Sequence, residues 1–205
     1  MKIAVLGAGN IGRTLSSKWS QAGHAVRLGV RDINSPRAQS ALQAGGDIAV
    51  DTVSNAISFG EVVLLAVPGT AVMPIISSQA GSIGGKIVLD ATNNVGAPEM
   101  SAIPVITAQA PDARVFRAFS TLGWENFAEP VFRGIRADLF YCGQEDEQAR
   151  RVVESLIEDI GLGPVYIGGL DQLQVIDNLT RLWLALARGR NMGRRLAFKV
   201  LTPAP

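Results

Sequence analysis

The chain has 205 residues, 47% hydrophobic and 18% charged, enough apolar material for one packed domain plus a small appendage and incompatible with a disordered or fibrous class. Nineteen Lys and Arg against eighteen Asp and Glu leave a net charge of +1, which argues against a protein that coats nucleic acid. One cysteine (Cys142) and one histidine (His24) exclude an internal disulfide or a His/Cys metal cluster, and no apolar run approaches the roughly 18 residues of a membrane span, so a soluble cytoplasmic protein without metal is expected.

In chain order, Ile3–Leu6 is a short continuous apolar run, the mark of a buried parallel strand. A glycine turn follows, then Ile11, Leu15 and Trp19 at helical spacing, and Ala25–Val30 as a second strand. About 30 residues hold this strand, helix and strand, the size of one βαβ unit. Pro36–Ala44 suits a helix with Ser35 as N-cap, Asp47–Val50 a weak strand, and Asp51–Phe59 a short helix. Val62–Val67 is a strongly apolar strand, Ala71–Ala80 a helix carrying Pro74, and Lys86–Ala91 and Arg114–Phe119 further strands. Ala137–Cys142 reads as a strand, Asp146–Ile160 as a helix and Pro164–Ile167 as a strand. Leu170 through Leu186 marks a long amphipathic helix. The expected fold is α/β: a Rossmann-type, doubly wound parallel sheet over 1–134, with a smaller C-terminal α/β-to-helical subdomain over 135–205.

Gly7-Ala8-Gly9-Asn10-Ile11-Gly12 is a complete GxGxxG that follows a buried strand, opens a helix and lies inside a βαβ unit. Gly7 permits the tight turn, Gly9 leaves room for a pyrophosphate, and Gly12 lets helix and strand approach. Backbone N–H groups at the helix start then face the phosphates. An NAD site places Asp or Glu at the end of the second strand. Here Arg31 comes first, and its guanidinium suits a 2′-phosphate, so NADP is favoured. Asp32 leaves NAD open if the strand ends one residue later.

Ligands in this architecture lie outside the carboxyl ends of the strands. The segments there are Val67-Pro68-Gly69, Ala91-Thr92-Asn93-Asn94 and Ser120-Thr121-Leu122-Gly123-Trp124. Val67, Pro68 and Asn93 are therefore read as dinucleotide contacts, and Thr121 and Trp124 as acceptor contacts. None of these segments carries a His, Lys or Tyr, so no catalytic acid or base is assigned. Alcohol oxidation moves a proton with its hydride; transfer to a flavin-like ring mainly needs two rings held face to face. His24 reads as a turn residue, and Cys142, Trp19 and Trp183 as core.

The chain resembles the NADPH-dependent coenzyme F420 reductases and related dinucleotide-binding oxidoreductases. Gly9-Asn10-Ile11-Gly12, Gly29-Val30-Arg31, Cys142-Gly143 with Glu145-Asp146-Glu147, and Asn191-Met192-Gly193 carry the resemblance over nearly the whole chain. It implies NADP binding by Ala8 to Ile11 and Arg31, with F420 or a flavin stacked on the nicotinamide in a cleft that the C-terminal part, Met192 included, completes. Val30 departs from a member of that family that carries a serine before the arginine. The loop Thr121–Phe127 matches the broader relatives better than the F420 enzymes. A non-catalytic NADP(H)-binding sensor and a soluble ferric-reductase-like NADPH–flavin oxidoreductase remain alternatives. A small-molecule acceptor is the expected partner, with a homodimer left open. Arg181, Arg188, Arg190, Arg194, Arg195 and Lys199 form a basic cluster that is either a solvated face or an attractor for an anionic acceptor.

Overall fold

A computed structural model describes residues 1–203. Strand β1 (Lys2–Leu6), helix α1 (Asn10–Gln21) and strand β2 (Ala25–Val30) form the first unit, followed by α2 (Pro36–Gln39), β3 (Ile48–Thr52), α3 (Val53–Phe59) and β4 (Val62–Leu65). Next come α4 (Gly69–Ile83), β5 (Ile87–Asp90), α5 (Ile103–Gln109), β6 (Arg114–Arg117) and α6 (Trp124–Ala128). The hairpin β7 (Val131–Phe132) and β8 (Ile135–Arg136) leads to β9 (Asp138–Gly143), α7 (Glu147–Asp159), β10 (Gly163–Tyr166) and α8 (Leu173–Leu184).

Eight strands form one sheet in the order β10-β9-β6-β5-β4-β1-β2-β3. The six from β3 to β6 run parallel, whereas β9 pairs antiparallel to β6 and β10 runs with β9. The chain steps outward from β1 to β3 and then crosses to β4 on the other side of β1, so the topological switch lies between β1 and β4. Every residue of β4 and β5 is buried, as an apolar run covered on both faces requires. One core layer packs Leu15 and Trp19 of α1 with Leu156 of α7 and Phe119. The other packs Ile57 of α3, Ile76 of α4 and Ile106 of α5 on the opposite face.

The C-terminal part, from residue 135 on, adds β9 and β10 to the edge of this same sheet, and Leu139, Tyr141, Val153 and Leu156 join the first core layer. The expected fold class is therefore borne out, with the C-terminal part continuous with the main sheet. Several boundaries differ. The helix expected over 36–44 is one α-turn followed by a 3-10 turn (Ser40–Ala44), halted at Gly45, whose φ is +74°. The strand expected to reach Phe119 stops at Arg117, because Phe119 adopts a φ of +59° that no strand accommodates. The long C-terminal helix is α8 preceded by a 3-10 turn and followed by a π-turn (Ala185–Gly189). Helices α5 and α6 and the β7–β8 hairpin have no counterpart in the sequence reading; at seven, five and two residues per element they show too little periodicity.

Candidate functional site

The glycine turn joins β1 to α1 at the switch point, stapled to β2 by Gly7 N–H donating to Gly29 O at 3.0 Å. Gly7 has a φ of +108°, and a Cβ there would stand 2.5 Å from Ala66 O. A Cβ on Gly12 would stand 1.9 Å from Gly7 O, so helix and turn touch only because both are glycine. Gly9 differs: a Cβ there meets nothing within 4 Å. It is the exposed N-cap of α1 and supplies no side-chain cap, and the Asn10 side chain turns aside to Arg13 at 3.2 Å. The first N–H groups of α1 thus face open space without an intrahelical partner. Ala8 and Ile11 are half-buried and pack on the core beside this opening. An anion fits this cradle, held by backbone donors and the helix dipole.

Strand β2 stops at Val30, so Arg31 is the first residue beyond it, and it is exposed. The carboxylate of Asp32 accepts from Asn34 N–H at 2.9 Å, and its carbonyl accepts from Ser35. That turn removes the premise of the NAD reading, which needed the strand to run one residue further. On the other side of β1, Val67 is half-buried and Pro68 is the exposed N-cap of α4.

At the ends of β5 and β6 lies a buried ionic knot that sequence reasoning missed. The fully buried Arg117 guanidinium donates through Nε to Asp177 of α8 at 3.0 Å. One terminal nitrogen donates to Asp90 O and Asp90 Oδ2, each at 3.2 Å, and to Thr92 O; the other donates to Asn93 Oδ1 at 2.7 Å. Asp90 also accepts from Thr92 N–H at 3.0 Å and Ala102 N–H at 2.8 Å. Burial pushes the Asp177 carboxyl above its ordinary range, with Arg117 pulling it back. The signal was one charge at the end of each apolar run, KIVLDA and RVFRAF, and a carboxylate on the buried face of α8. The Asn93 amide consequently points inward: its Nδ2 donates to Ser120 O at 3.0 Å, tying β5 to β6. Beside it, the hydroxyls of Ser120 and Thr121 are buried without a partner among the described residues.

Trp124 sits on α6 in a groove of about 340 Å³ shared with Asn10, Arg13, Thr14 and Ser17 of α1, beside the phosphate turn. A second groove of about 510 Å³ separates residues 95–100 from α8 and is lined by Val95, Pro98, Met100, Arg181 and Leu184. Met192 lies on the exposed turn after α8.

The basic cluster divides. Arg194 pairs with Glu125 at 2.5 Å, Arg195 with Glu129 at 3.2 Å and Lys199 with Asp138 at 2.7 Å. These three pin the tail to α6 and β9, so the idea that Arg194 and Arg195 attract an anionic acceptor is corrected. Arg181 bonds only a neutral side chain, Asn178, at 3.1 Å among the described residues. His24 is buried at the opposite end of the sheet, 2.9 Å from Asp159. Cys142 is buried in β9, and burial pushes its thiol up to about 12.

An open helix N-terminus at the switch point of a doubly wound sheet defines a dinucleotide-binding protein of the Rossmann class. Residues 2–94 match the family described as NADP oxidoreductase, coenzyme F420-dependent. The likeness extends along the chain: the F420-dependent NADP reductase of Methanothermobacter thermautotrophicus is 29% identical, covering 96% of this chain and 94% of its own. The enzyme of the same name from Methanothermobacter marburgensis is 28% identical over 96% and 98%. A crystal structure from Arthrobacter sp. FB24, provisionally assigned as an F420-dependent NADP reductase, covers 98% of this chain and 100% of its own at a TM-score of 0.84 and 22% identity, and speaks for the fold. The resemblance read from the sequence is borne out.

Proposed function

We propose that the protein is an oxidoreductase that passes a hydride between NADPH and coenzyme F420 or a closely related flavin-like ring. The observation that carries this reading is the open N-terminus of α1 at the switch point, in a chain similar over nearly its full length to F420-dependent NADP reductases. The N–H groups from Gly9 to Ile11 hold the pyrophosphate, and Arg31 grips the 2′-phosphate. With the adenosine half over β2, the nicotinamide half extends across β4 toward β5 and β6, past Val67, Pro68 and Asn93. NADP supplies the hydride chemistry; the chain holds the rings and excludes water. The acceptor takes the hydride and one proton from solvent. The titratable side chains at the ends of β5 and β6, Asp90 and Arg117, are committed to each other and to Asp177 of α8.

The acceptor ring lies between the nicotinamide and the groove of about 510 Å³ that α8 helps wall, with Arg181 set to receive an anionic tail. Thr121 offers it a buried hydroxyl, and Met192 and Trp124 border the approach from either side. A cytoplasmic location goes with these diffusible substrates. Self-association is proposed through α8, where Val175 and Leu182 are 53% and 47% exposed. Antiparallel packing of two copies of α8 sets Leu179 against Leu182, an apolar contact where the two helices cross. Light scattering should show a dimer that Leu182→Glu converts to a monomer; a monomeric wild type removes this part. Oxidation of NADPH on addition of F420, FMN or FAD tests the activity, and binding of NADPH without turnover on any of them overturns it in favour of a sensor.

A further inference from the structure

Arg117 is an arginine without solvent exposure, at the end of a strand whose neighbours are apolar. Isolated, a buried guanidinium is costly, and this one is repaid by five acceptors. Two of them are carboxylates, which together more than offset its single charge. The other three are Asp90 O, Thr92 O and Asn93 Oδ1, all on the segment that leaves β5 for the cleft. Charge attraction accounts for Asp90 and Asp177; it does not require a hydrogen bond to the Asn93 amide. That bond fixes the amide so that Nδ2 meets Ser120 O, and the ends of β5 and β6 become one rigid floor. Through Nε the same guanidinium ties this floor to α8, the helix that walls the larger groove.

We infer that Arg117 is a positioning residue, which acts through Asn93 to hold the Thr92–Asn93 segment in register with the nicotinamide ring. The inference rests on the proposed placement of the nicotinamide over β5 and β6. The planar fork of arginine matters here, since a lysine ammonium is a point charge and cannot reach acceptors on three separate groups in one plane. Asn93→Ala removes the bridge without leaving a buried charge unpaired.

The test compares two ligands by calorimetric titration: NADPH, and 2′,5′-ADP, which has the adenosine half and the 2′-phosphate but no nicotinamide. Arg117→Lys and Asn93→Ala should each weaken NADPH about tenfold while 2′,5′-ADP binds as in wild type. The double variant should be no weaker than the worse single one, because both remove the same link. The fluorescence of bound NADPH should fall with both variants, reporting a loosened ring. Equal losses for the two ligands, or additive losses in the double variant, would overturn the inference and leave Arg117 a structural residue. If Arg117→Lys does not fold, Asn93→Ala decides the matter: unchanged NADPH affinity and fluorescence refute it. Failure of the functional reading shows separately, as a wild type that binds neither ligand or binds NADPH without turnover.

Discussion

Two glycines three residues apart in one turn should respond in opposite ways. A Cβ on Gly12 would fall 1.9 Å from the Gly7 carbonyl oxygen, about 1.5 Å inside the 3.4 Å at which ordinary contact begins. The obstacle is backbone, so α1 must lift from the turn, and Leu15 and Trp19 would lift with it. Overpacking of this kind costs about 1–3 kcal/mol. With backbone on both sides we take the upper end, about 3 kcal/mol. For a chain of this length that lowers Tm by roughly 6–12 °C. Gly9 has nothing within 4 Å of its Cβ position. Gly9→Val should therefore cost the fold no more than about 1 kcal/mol, the order of a poor N-cap. Its side chain would occupy the space the pyrophosphate needs, weakening NADPH at least about tenfold, or 1.4 kcal/mol. Thermal denaturation and titration with NADPH measure the two effects on the same samples. Undiminished NADPH affinity in Gly9→Val, or a wild-type Tm in Gly12→Ala, would refute the reasoning for that position.

Arg31→Ala should weaken NADPH by roughly thirtyfold, about the 2 kcal/mol of a charge-assisted hydrogen bond, and leave NADH unaffected; equal losses for both cofactors would return the site to Asp32. Arg181→Ala should raise KM for an anionic acceptor severalfold and flatten its salt dependence, whereas the Arg194→Ala, Arg195→Ala double variant should lower Tm and leave that KM alone. The reverse pattern would move the acceptor away from the groove beside α8. Cys142 should resist alkylation in the native protein at pH 8 and react once unfolded, because its thiol lies in β9 with its pKa pushed up to about 12. The folded-state value exceeds the ordinary 9.0, so the unfolded chain loses its proton first and this thiol's contribution to stability is present below pH 9 and lost between about pH 9 and 12. Cys142→Ala should reduce that alkaline loss, as denaturation curves at pH 8 and 11 will show.

The strands that position the site were legible because buried parallel strands spell themselves as continuous apolar runs, as in Val62–Leu65 and Ile87–Asp90. The glycine turn was legible because each of its glycines answers a separate steric demand of the backbone. Side-chain destinations were not. The inward turn of Asn93 follows from Arg117, 24 residues on, and from Ser120 beyond it. Arg117 in turn is held by Asp177 on the last helix, 60 residues further along. No local pattern encodes contacts of that range. The tail arginines misled for the same reason: six positive charges in sequence read as one patch, while Glu125 of a five-residue helix and Glu129 just after it neutralise two of them.

Hydride exchange between NADPH and a deazaflavin or flavin ring is read most directly by a stoichiometric titration of the purified protein with NADPH and F420, followed by absorbance. One F420 should be reduced for each NADPH consumed, with NADH a poor donor and Arg31→Ala abolishing the preference. NADPH that binds tightly yet is consumed with neither F420 nor a flavin would contradict it.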